Sequence, residues 1–289
     1  THLRIIQTMS ISLLGAAEIR EIAKQLELHP AKSLGQNFVV DGNTCQKIVR
    51  LAGIEPNDHV VEIGPGLGSL TLALLQSASH VTAIEIDERL AKQLPFTAQS
   101  HGVNTGQLSI INHDALKVLD IPGSPTKLVA NLPYNVSVPV LLTILERFPS
   151  ITSGVVMVQT EVAERLAAKP GNKTYGVPSA KAAWWCDMTL ADSVSRSVFW
   201  PVPNVDSSLV RFVRHAPLGD EKLRVRTFEL IDRAFGQRRK MLRAIYSDIY
   251  GGSHEAEKAL TAAGIDPTIR GESLSVERFA ALANHLVER

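Results

Sequence analysis

Between residues 59 and 168 short aliphatic runs alternate with segments whose apolar positions recur every three or four residues, a pattern of strands alternating with helices. His59 to Ile63, His80 to Ile86, Leu108 to Asn112, Lys127 to Ala130 and Val155 to Val158 read as strands. Helices are expected over Ser69 to Gln76, around Glu88 to Leu94, and over Pro139 to Phe148 and Val162 to Ala168. Such alternation predicts a doubly wound parallel sheet, which gathers ligand loops at the carboxyl ends of its strands. Ahead of it, Ile11, Leu14, Ile19, Ile22, Ala23 and Leu26 mark a helix starting near Gly15 and closed by His29-Pro30, and Asn43 to Ala52 marks another.

Beyond Asp206 to Arg214, which alternates as a late strand, strand signals vanish. Glu221 to Phe235, Arg238 to Tyr250, His254 to Ala263 and Ser275 to Glu288 all read as helices, as does a stretch after Pro178 that carries Trp184, Trp185 and Cys186. The expected organisation is therefore an α/β domain over 1–216, with an amino-terminal helical extension, and a small helical domain over 217–289.

A length of 289 residues suits one large core plus a small companion domain, and no apolar run reaches membrane length. Thr1 to Leu14 makes a poor secretory signal, so the expected compartment is the cytoplasm. Two cysteines, Cys45 and Cys186, are too few for a thiolate metal site, and His59, His80 and His113 lack ligand spacing, so no metal is expected. A net charge of +1 advertises no nucleic acid, so any RNA surface must come from local segregation. Lys222, Arg224, Arg226, Arg233, Arg238, Arg239, Lys240 and Arg243 are opposed between residues 222 and 243 only by Glu229 and Asp232. Helical spacing would set Arg239 and Arg243 on one phosphate-binding face, and Arg4, Lys24, Lys32 and Lys47 extend the positive area.

Two segments carry candidate chemistry. Gly64-Pro65-Gly66-Leu67-Gly68 lies between strand and helix, where small residues let a ligand approach the backbone. It does not match a dinucleotide fingerprint, and Pro65 removes an amide donor that a pyrophosphate cradle would use. A single adenosine with a small zwitterionic tail, as in S-adenosylmethionine, fits better. Glu85, ending the second strand, is placed to accept from ribose hydroxyls, Asp114 from an adenine amine or a nearby donor, and Glu62 to hold the turn or meet the tail. Asp87 reads instead as a helix cap.

The second segment is Asn131-Leu132-Pro133-Tyr134. The Asn131 amide oxygen and the Leu132 carbonyl, which Pro133 holds in extended backbone, form a pair of acceptors for an exocyclic amine. Tyr134 can stack on the base, and Phe199 is the candidate for its other face. Together the two segments point to methyl transfer onto an amine, a reaction that needs alignment rather than a metal.

In this order the motifs resemble those of the ribosomal RNA adenine dimethyltransferases of the universal small-subunit type. The resemblance runs through Lys32 to Phe38, Val61 to Thr71, Glu85, Asp114-Ala115, Asn131 to Tyr134, Val158 to Leu166, Phe199 to Ser207 and Phe235 to Leu242. It implies a Rossmann-like class I S-adenosylmethionine-dependent fold with a small carboxyl-terminal helical domain. Gln36, Asn37, Phe38, Gly64, Gly66, Glu85, Ile86, Asp114, Ala115 and Asn131 would then surround the cofactor, and Asn131, Leu132, Pro133, Tyr134 and Phe199 the target adenine. The implied substrate is a pair of adjacent adenines in the terminal hairpin loop of 16S ribosomal RNA, within a late small-subunit assembly intermediate. Loss of that modification goes with kasugamycin resistance in bacteria. Lys32, Arg233, Arg238, Arg239, Lys240 and Arg243 are the candidate RNA contacts, and a monomer is expected.

Two departures stand out: the bacterial pattern usually has Lys at Thr160, and the stretch before Lys32 exceeds the minimal family form. The related 23S ribosomal RNA adenine N6-methyltransferases of macrolide resistance share both segments, but commonly have Ile where Leu132 stands. A noncatalytic RNA-binding assembly factor is the reading from another class, and intact Asn131 and Tyr134 argue against it.

Overall fold

The computed structural model describes residues 10–28 and 36–285. Arg4 and Lys32, with the start of the motif that Lys32 opens, lie outside the described residues. The chain divides into two compact units, one of Thr1–Thr160 with Ala191–Arg211 and the other of Glu161–Leu190 with Phe212–Arg289.

The first unit opens with α1 (Ala16–Gln25), the two-residue strand β1 (Phe38–Val39) and α2 (Gly42–Ala52), which Asp41 caps by accepting from the Thr44 amide at 2.8 Å. Strands and helices then alternate: β2 (His59–Ile63), α3 (Ser69–Leu75), β3 (His80–Glu85), α4 (Glu88–Ser100), β4 (Leu108–Asn112), β5 (Lys127–Asn131), α5 (Ser137–Arg147) and β6 (Ser153–Gln159). Chain order continues with α6 (Thr160–Ala167), α7 (Val177–Ala182), β7 (Cys186–Val194), β8 (Phe199–Trp200) and β9 (Ser207–Arg214). The main sheet has the order β4-β3-β2-β5-β6-β9-β7, and its members from β4 to β6 are parallel. Apart from their end residues, β2, β3, β5 and β6 are buried, which their continuous aliphatic runs require when helices cover both faces. β1 and β8 form a separate antiparallel pair, with Phe38 opposite Trp200 and Val39 opposite Phe199.

The strand order decides where a ligand can sit. The chain leaves β2 toward β3 on one side and leaves β5 toward β6 on the other, so the loops after these neighbouring strands diverge. The glycine turn follows β2 and Asn131 ends β5, so both segments singled out in the sequence flank this switch point.

Three elements differ from the pattern-based expectation. α4 continues past Leu94 through Pro95 because Leu94, Thr97 and Ala98 are buried, and that burial offsets the one backbone hydrogen bond that proline removes. The helix expected after Pro178 forms as α7 but stops at Ala182, and Cys186 opens β7 instead. Its residues alternate only weakly in burial, and Trp184 and Trp185 precede it as buried rings set edge-on to Phe228, with centroids 6.2 and 5.4 Å away. The expected helix from Arg238 to Tyr250 is instead a turn followed by α9 (Leu242–Ile245) and α10 (Ser247–Tyr250).

The second unit is built around α8 (Glu221–Gly236), with α11 (Ser253–Ala262) and α12 (Val276–Asn284) completing its helices, and it includes α6 and α7. Residues 161–190 thus group with the carboxyl-terminal helices, unlike the division at 216 expected from the sequence pattern. The Tyr246 hydroxyl, fully buried, donates to the Leu230 carbonyl at 2.8 Å, and the Tyr175 hydroxyl donates to that of Leu274 at 2.8 Å. Among the described residues no helix is long and apolar enough to cross a membrane.

Gly68 precedes α3 with φ +103°, and a Cβ placed on it would lie 2.8 Å from Leu94 Cδ1. Gly68→Ala is therefore expected to lower stability by about 1–3 kcal/mol, from left-handed strain plus crowding. Urea denaturation of the variant checks this, and an unchanged midpoint would contradict it.

Candidate functional site

A cavity of about 260 Å³ opens at the switch point, walled by the glycine turn, by residues 36–39, by the ends of β3 and β4, and by Asn131 to Val136. The turn is held in left-handed backbone, with φ +69° at Gly64 and +57° at Gly66. Phe38 lies against it so closely that a Cβ on Gly66 would be 2.9 Å from its ring. The three glycine amides of the turn are already engaged: Gly64 N–H donates to the Ile84 carbonyl at 2.9 Å, Gly66 N–H to Glu85 Oε2 at 3.2 Å, and Gly68 N–H to the Pro65 carbonyl at 3.0 Å. The turn thus presents a close backbone wall rather than an array of free donors for a phosphate.

Acceptors dominate the rest of the wall. Glu85 is buried at the end of β3, and its second oxygen accepts from the Asp87 amide at 3.0 Å. Each carboxylate oxygen keeps a further lone pair for a ligand hydroxyl. Burial pushes the Glu85 carboxyl above its ordinary pKa, against the pull of those backbone donors. Glu62 is 1% exposed and accepts from the Thr71 hydroxyl at 2.6 Å. Burial raises its pKa to about 8. Asp114 accepts from the Leu116 amide at 2.9 Å through Oδ1, while Oδ2 lies 3.9 Å from Lys117 Nζ. Ile86 is 65% exposed at the cavity wall, an apolar surface suited to a flat ring. Carboxylates and an apolar ledge suit a cofactor that brings hydroxyls, a cationic amine and an adenine, which is the donor set of S-adenosylmethionine.

The segment after β5 faces the turn. A Cβ on Gly64 would lie 3.8 Å from the Asn131 carbonyl and 3.9 Å from Pro133 Cδ, which is ordinary contact. The Asn131 side-chain nitrogen donates to the Asn37 carbonyl at 3.1 Å. Only the NH₂ end of the amide can make that bond, so the amide's orientation is assigned and Oδ1 is left as an acceptor. Leu132 N–H donates to the Met157 carbonyl at 3.1 Å, which fixes the peptide, and the Leu132 carbonyl accepts no backbone hydrogen bond among the described residues. Tyr134 is half-buried, and its hydroxyl is 2.7 Å from Ser207 Oγ.

The cavity brings together Gln36, Asn37, Phe38, Glu62, Gly64 and Gly66 with Glu85, Ile86, Asp114 and Asn131 to Tyr134. Ala115 is buried just behind, and Leu116 takes its place in the wall. Phe199 does not line the cavity. It is 2% exposed within the hydrophobic core, because β8 turns its side chain inward while Trp200 stacks on Phe38 with centroids 6.3 Å apart. The expectation of a second aromatic face from Phe199 is therefore not met by its placement.

Pattern reasoning missed Asn112, whose Nδ2 donates to the Glu85 carbonyl at 2.8 Å and ties the ends of β3 and β4 together. Its partner is set by the register of β4 opposite β3, which local pattern does not carry.

In the second unit, the basic candidates separate into two groups. Arg233 pairs with Glu229 and Asp248 at 3.2 and 2.6 Å, Arg238 with Glu272 at 3.4 Å, and Arg243 with Glu257 at 3.5 Å. Arg239 and Lys240 are exposed in the turn after α8 and make no ion pair among the described residues. The expected helical face shared by Arg239 and Arg243 does not form, because the helix ends before the first of them.

Residues 28–288 match the family model described as ribosomal RNA adenine dimethylase. A ribosomal RNA small subunit methyltransferase A of Streptomyces griseus is 55% identical over 280 residues, which cover 96% of both chains. One from Leifsonia xyli is 56% identical over 94% of this chain and 98% of its own length. Among solved structures, a dimethyladenosine transferase from Plasmodium falciparum is 26% identical with a TM-score of 0.71, covering 84% of this chain and 94% of that one. The 23S rRNA methyltransferase ErmE is 27% identical with a TM-score of 0.67, covering 87% of this chain and 100% of that one.

The buried Glu62 has a consequence for pH. Its carboxyl moves from 4.5 to about 8 on burial, so the folded chain holds a proton that the unfolded chain releases between those values. The resulting stability is fully present below the lower value and is lost as pH rises toward the upper one. The upward shift of Glu85 acts in the same direction. Glu62→Gln, which keeps the neutral acceptor for Thr71, is expected to flatten the fall of the thermal midpoint between about pH 5 and about pH 8. A variant with the wild-type slope would exclude Glu62 as its source.

Proposed function

Because the chain belongs to the ribosomal RNA adenine dimethylase family, we propose that it methylates the exocyclic N6 amines of two adjacent adenines in the 3′-terminal hairpin loop of 16S ribosomal RNA, giving N6,N6-dimethyladenosines during small-subunit biogenesis. S-adenosylmethionine is the methyl donor, supplying a methyl carbon on a sulfonium. The observation that carries the reading is the Asn131 bond to the Asn37 carbonyl, which leaves Oδ1 as an acceptor on a residue that lines the cavity.

Each wall residue then has a task. Glu85 accepts from the ribose hydroxyls, Asp114 from the adenine amine of the cofactor, and Glu62 with Gly64 and Gly66 bounds its tail, while Gln36, Asn37, Phe38 and Ile86 close the sides. The amine of the target adenine donates its two hydrogens to Asn131 Oδ1 and the Leu132 carbonyl. That grip turns the nitrogen lone pair out of conjugation with the ring and toward the methyl group. Bound S-adenosylmethionine would give up its methyl group to the nitrogen held by Asn131 and Leu132, its sulfur keeping the electron pair of the S–C bond, and the charged amine would lose a proton to solvent. Tyr134 stacks on the base, which arrives unpaired or flipped from its stack.

Binding of the RNA backbone is assigned to the carboxyl-terminal helices of the second unit, chiefly to Arg239 and Lys240, whose charges are exposed. Arg233, Arg238 and Arg243 contribute by holding that surface in shape as well as by their charge, and Lys32 adds a contact from the first unit. The substrate is a late small-subunit assembly particle, met by a monomer in the cytoplasm.

Incubating the purified chain with labelled methyl donor and either small or large ribosomal particles, then mapping the modified nucleotides, tests the assignment. Label on two adjacent small-subunit adenines supports it, and label on a large-subunit adenine or on neither particle overturns it. Asn131→Ala is expected to lower kcat by about 10²-fold or more with RNA affinity largely kept, since it removes alignment rather than binding area. Equal turnover at saturating cofactor would count against it. Replacing Arg239 and Lys240 with Ala is expected to weaken particle binding and reduce the slope of log affinity against log salt by about 2, without moving the methylated position.

A further inference from the structure

We propose that Ser207 is a positioning residue for methyl transfer, acting through the Tyr134 hydroxyl. The inference rests on the reading of Tyr134 as the stacking platform for the target base. Ser207 is fully buried at the start of β9, far along the chain from the cavity segments, and its Oγ lies 2.7 Å from the Tyr134 hydroxyl. Among the described residues this is the one side-chain hydrogen bond that either hydroxyl makes.

The geometry of the surrounding strand gives the bond its stiffness. The next residue, Ser208, is 5% exposed and bonds its hydroxyl to that of Thr160 at 2.9 Å, while the Thr160 amide donates to the Asp206 carbonyl at 2.9 Å. Arg196 pairs with Asp206 at 3.1 Å just before the strand. Neighbouring strand residues point to opposite faces, so the two serines reach different partners from one rigid backbone. The start of β9 is therefore anchored to the end of β6 independently of Tyr134, and Ser207 carries that anchorage to the phenol.

A tyrosine ring held only at its Cβ end retains freedom about two side-chain torsions. Anchoring the far end fixes the plane of the ring, and with it the plane of any base stacked there. Because transfer demands near-linear alignment of nitrogen, carbon and sulfur, a base that rocks in its slot loses rate without losing cofactor affinity. The same arrangement gives Thr160, where the family pattern usually has Lys, a task within the protein.

The test is a double-mutant cycle in kcat, with unmodified small ribosomal particles as substrate, using Ser207→Ala, Tyr134→Phe and the double variant. Each single change removes the same bond from a different end, and neither removes the aromatic ring. Each is expected to lower kcat about five-fold, the factor associated with one net hydrogen bond, with KM for S-adenosylmethionine unchanged. The double variant is expected to be no slower than either single one. Losses that multiply in the double variant, or a Ser207→Ala enzyme with wild-type kcat and only a lowered thermal midpoint, would overturn the proposal. Tyr134→Ala separates the two layers of the argument. If it leaves kcat unchanged, the stacking role fails and the Ser207 role fails with it. If it is severely impaired while Ser207→Ala is unaffected, only the Ser207 role fails.

Discussion

The site exists because β2 and β5 are neighbours in the parallel sheet while their onward connections run in opposite directions. The carboxyl end of β2 must end in a turn tight enough to clear the segment after β5, and glycine in left-handed backbone is what permits it. A Cβ added to Gly64 would come into ordinary contact with Pro133 across this gap. Everything placed around the cavity, from Phe38 over Gly66 to Glu85 beneath it, is arranged with respect to these two strand ends.

Within that frame, hydrogen bonds internal to the protein select which groups remain for a ligand. The three glycine amides of the turn are engaged by Ile84, Glu85 and Pro65, which removes them as phosphate donors. The Asn131 nitrogen is engaged by Asn37, which leaves an oxygen. The Leu132 amide is engaged by Met157, which leaves a carbonyl. What remains is a surface of acceptors, suited to hydroxyls and amines, beside an apolar ledge at Ile86. The buried Glu62 and Glu85 complete that character at a cost in desolvation, and both titrate above their ordinary range for that reason.

The basic residues show why charge counts along a chain mislead. Arg233, Arg238 and Arg243 read as an RNA-facing stripe, yet each has a carboxylate partner from elsewhere in its unit, at Asp248, Glu272 and Glu257. None of those partners lies between residues 222 and 243, so the local excess of positive charge was legible but its neutralisation was not. Arg239 and Lys240 stay exposed because α8 ends at Gly236 and puts them in a turn.

The sequence by itself determined the alternating strands and helices, the two chemical segments and their order, and the all-helical character beyond residue 216, because these depend on local periodicity and backbone preference. It also placed Asp87 at its cap and the glycines at their turn, where short-range geometry leaves few options. Only the tertiary structure decided that β7 is a strand, that Phe199 belongs to the core, that residues 161–190 join the second unit, and that Asn37 and Ser207 reach Asn131 and Tyr134. Those outcomes depend on which distant segments become neighbours. A hydrogen bond across 94 or 73 residues leaves no trace in local pattern, because its partners are chosen by the folded sheet and not by their spacing along the chain.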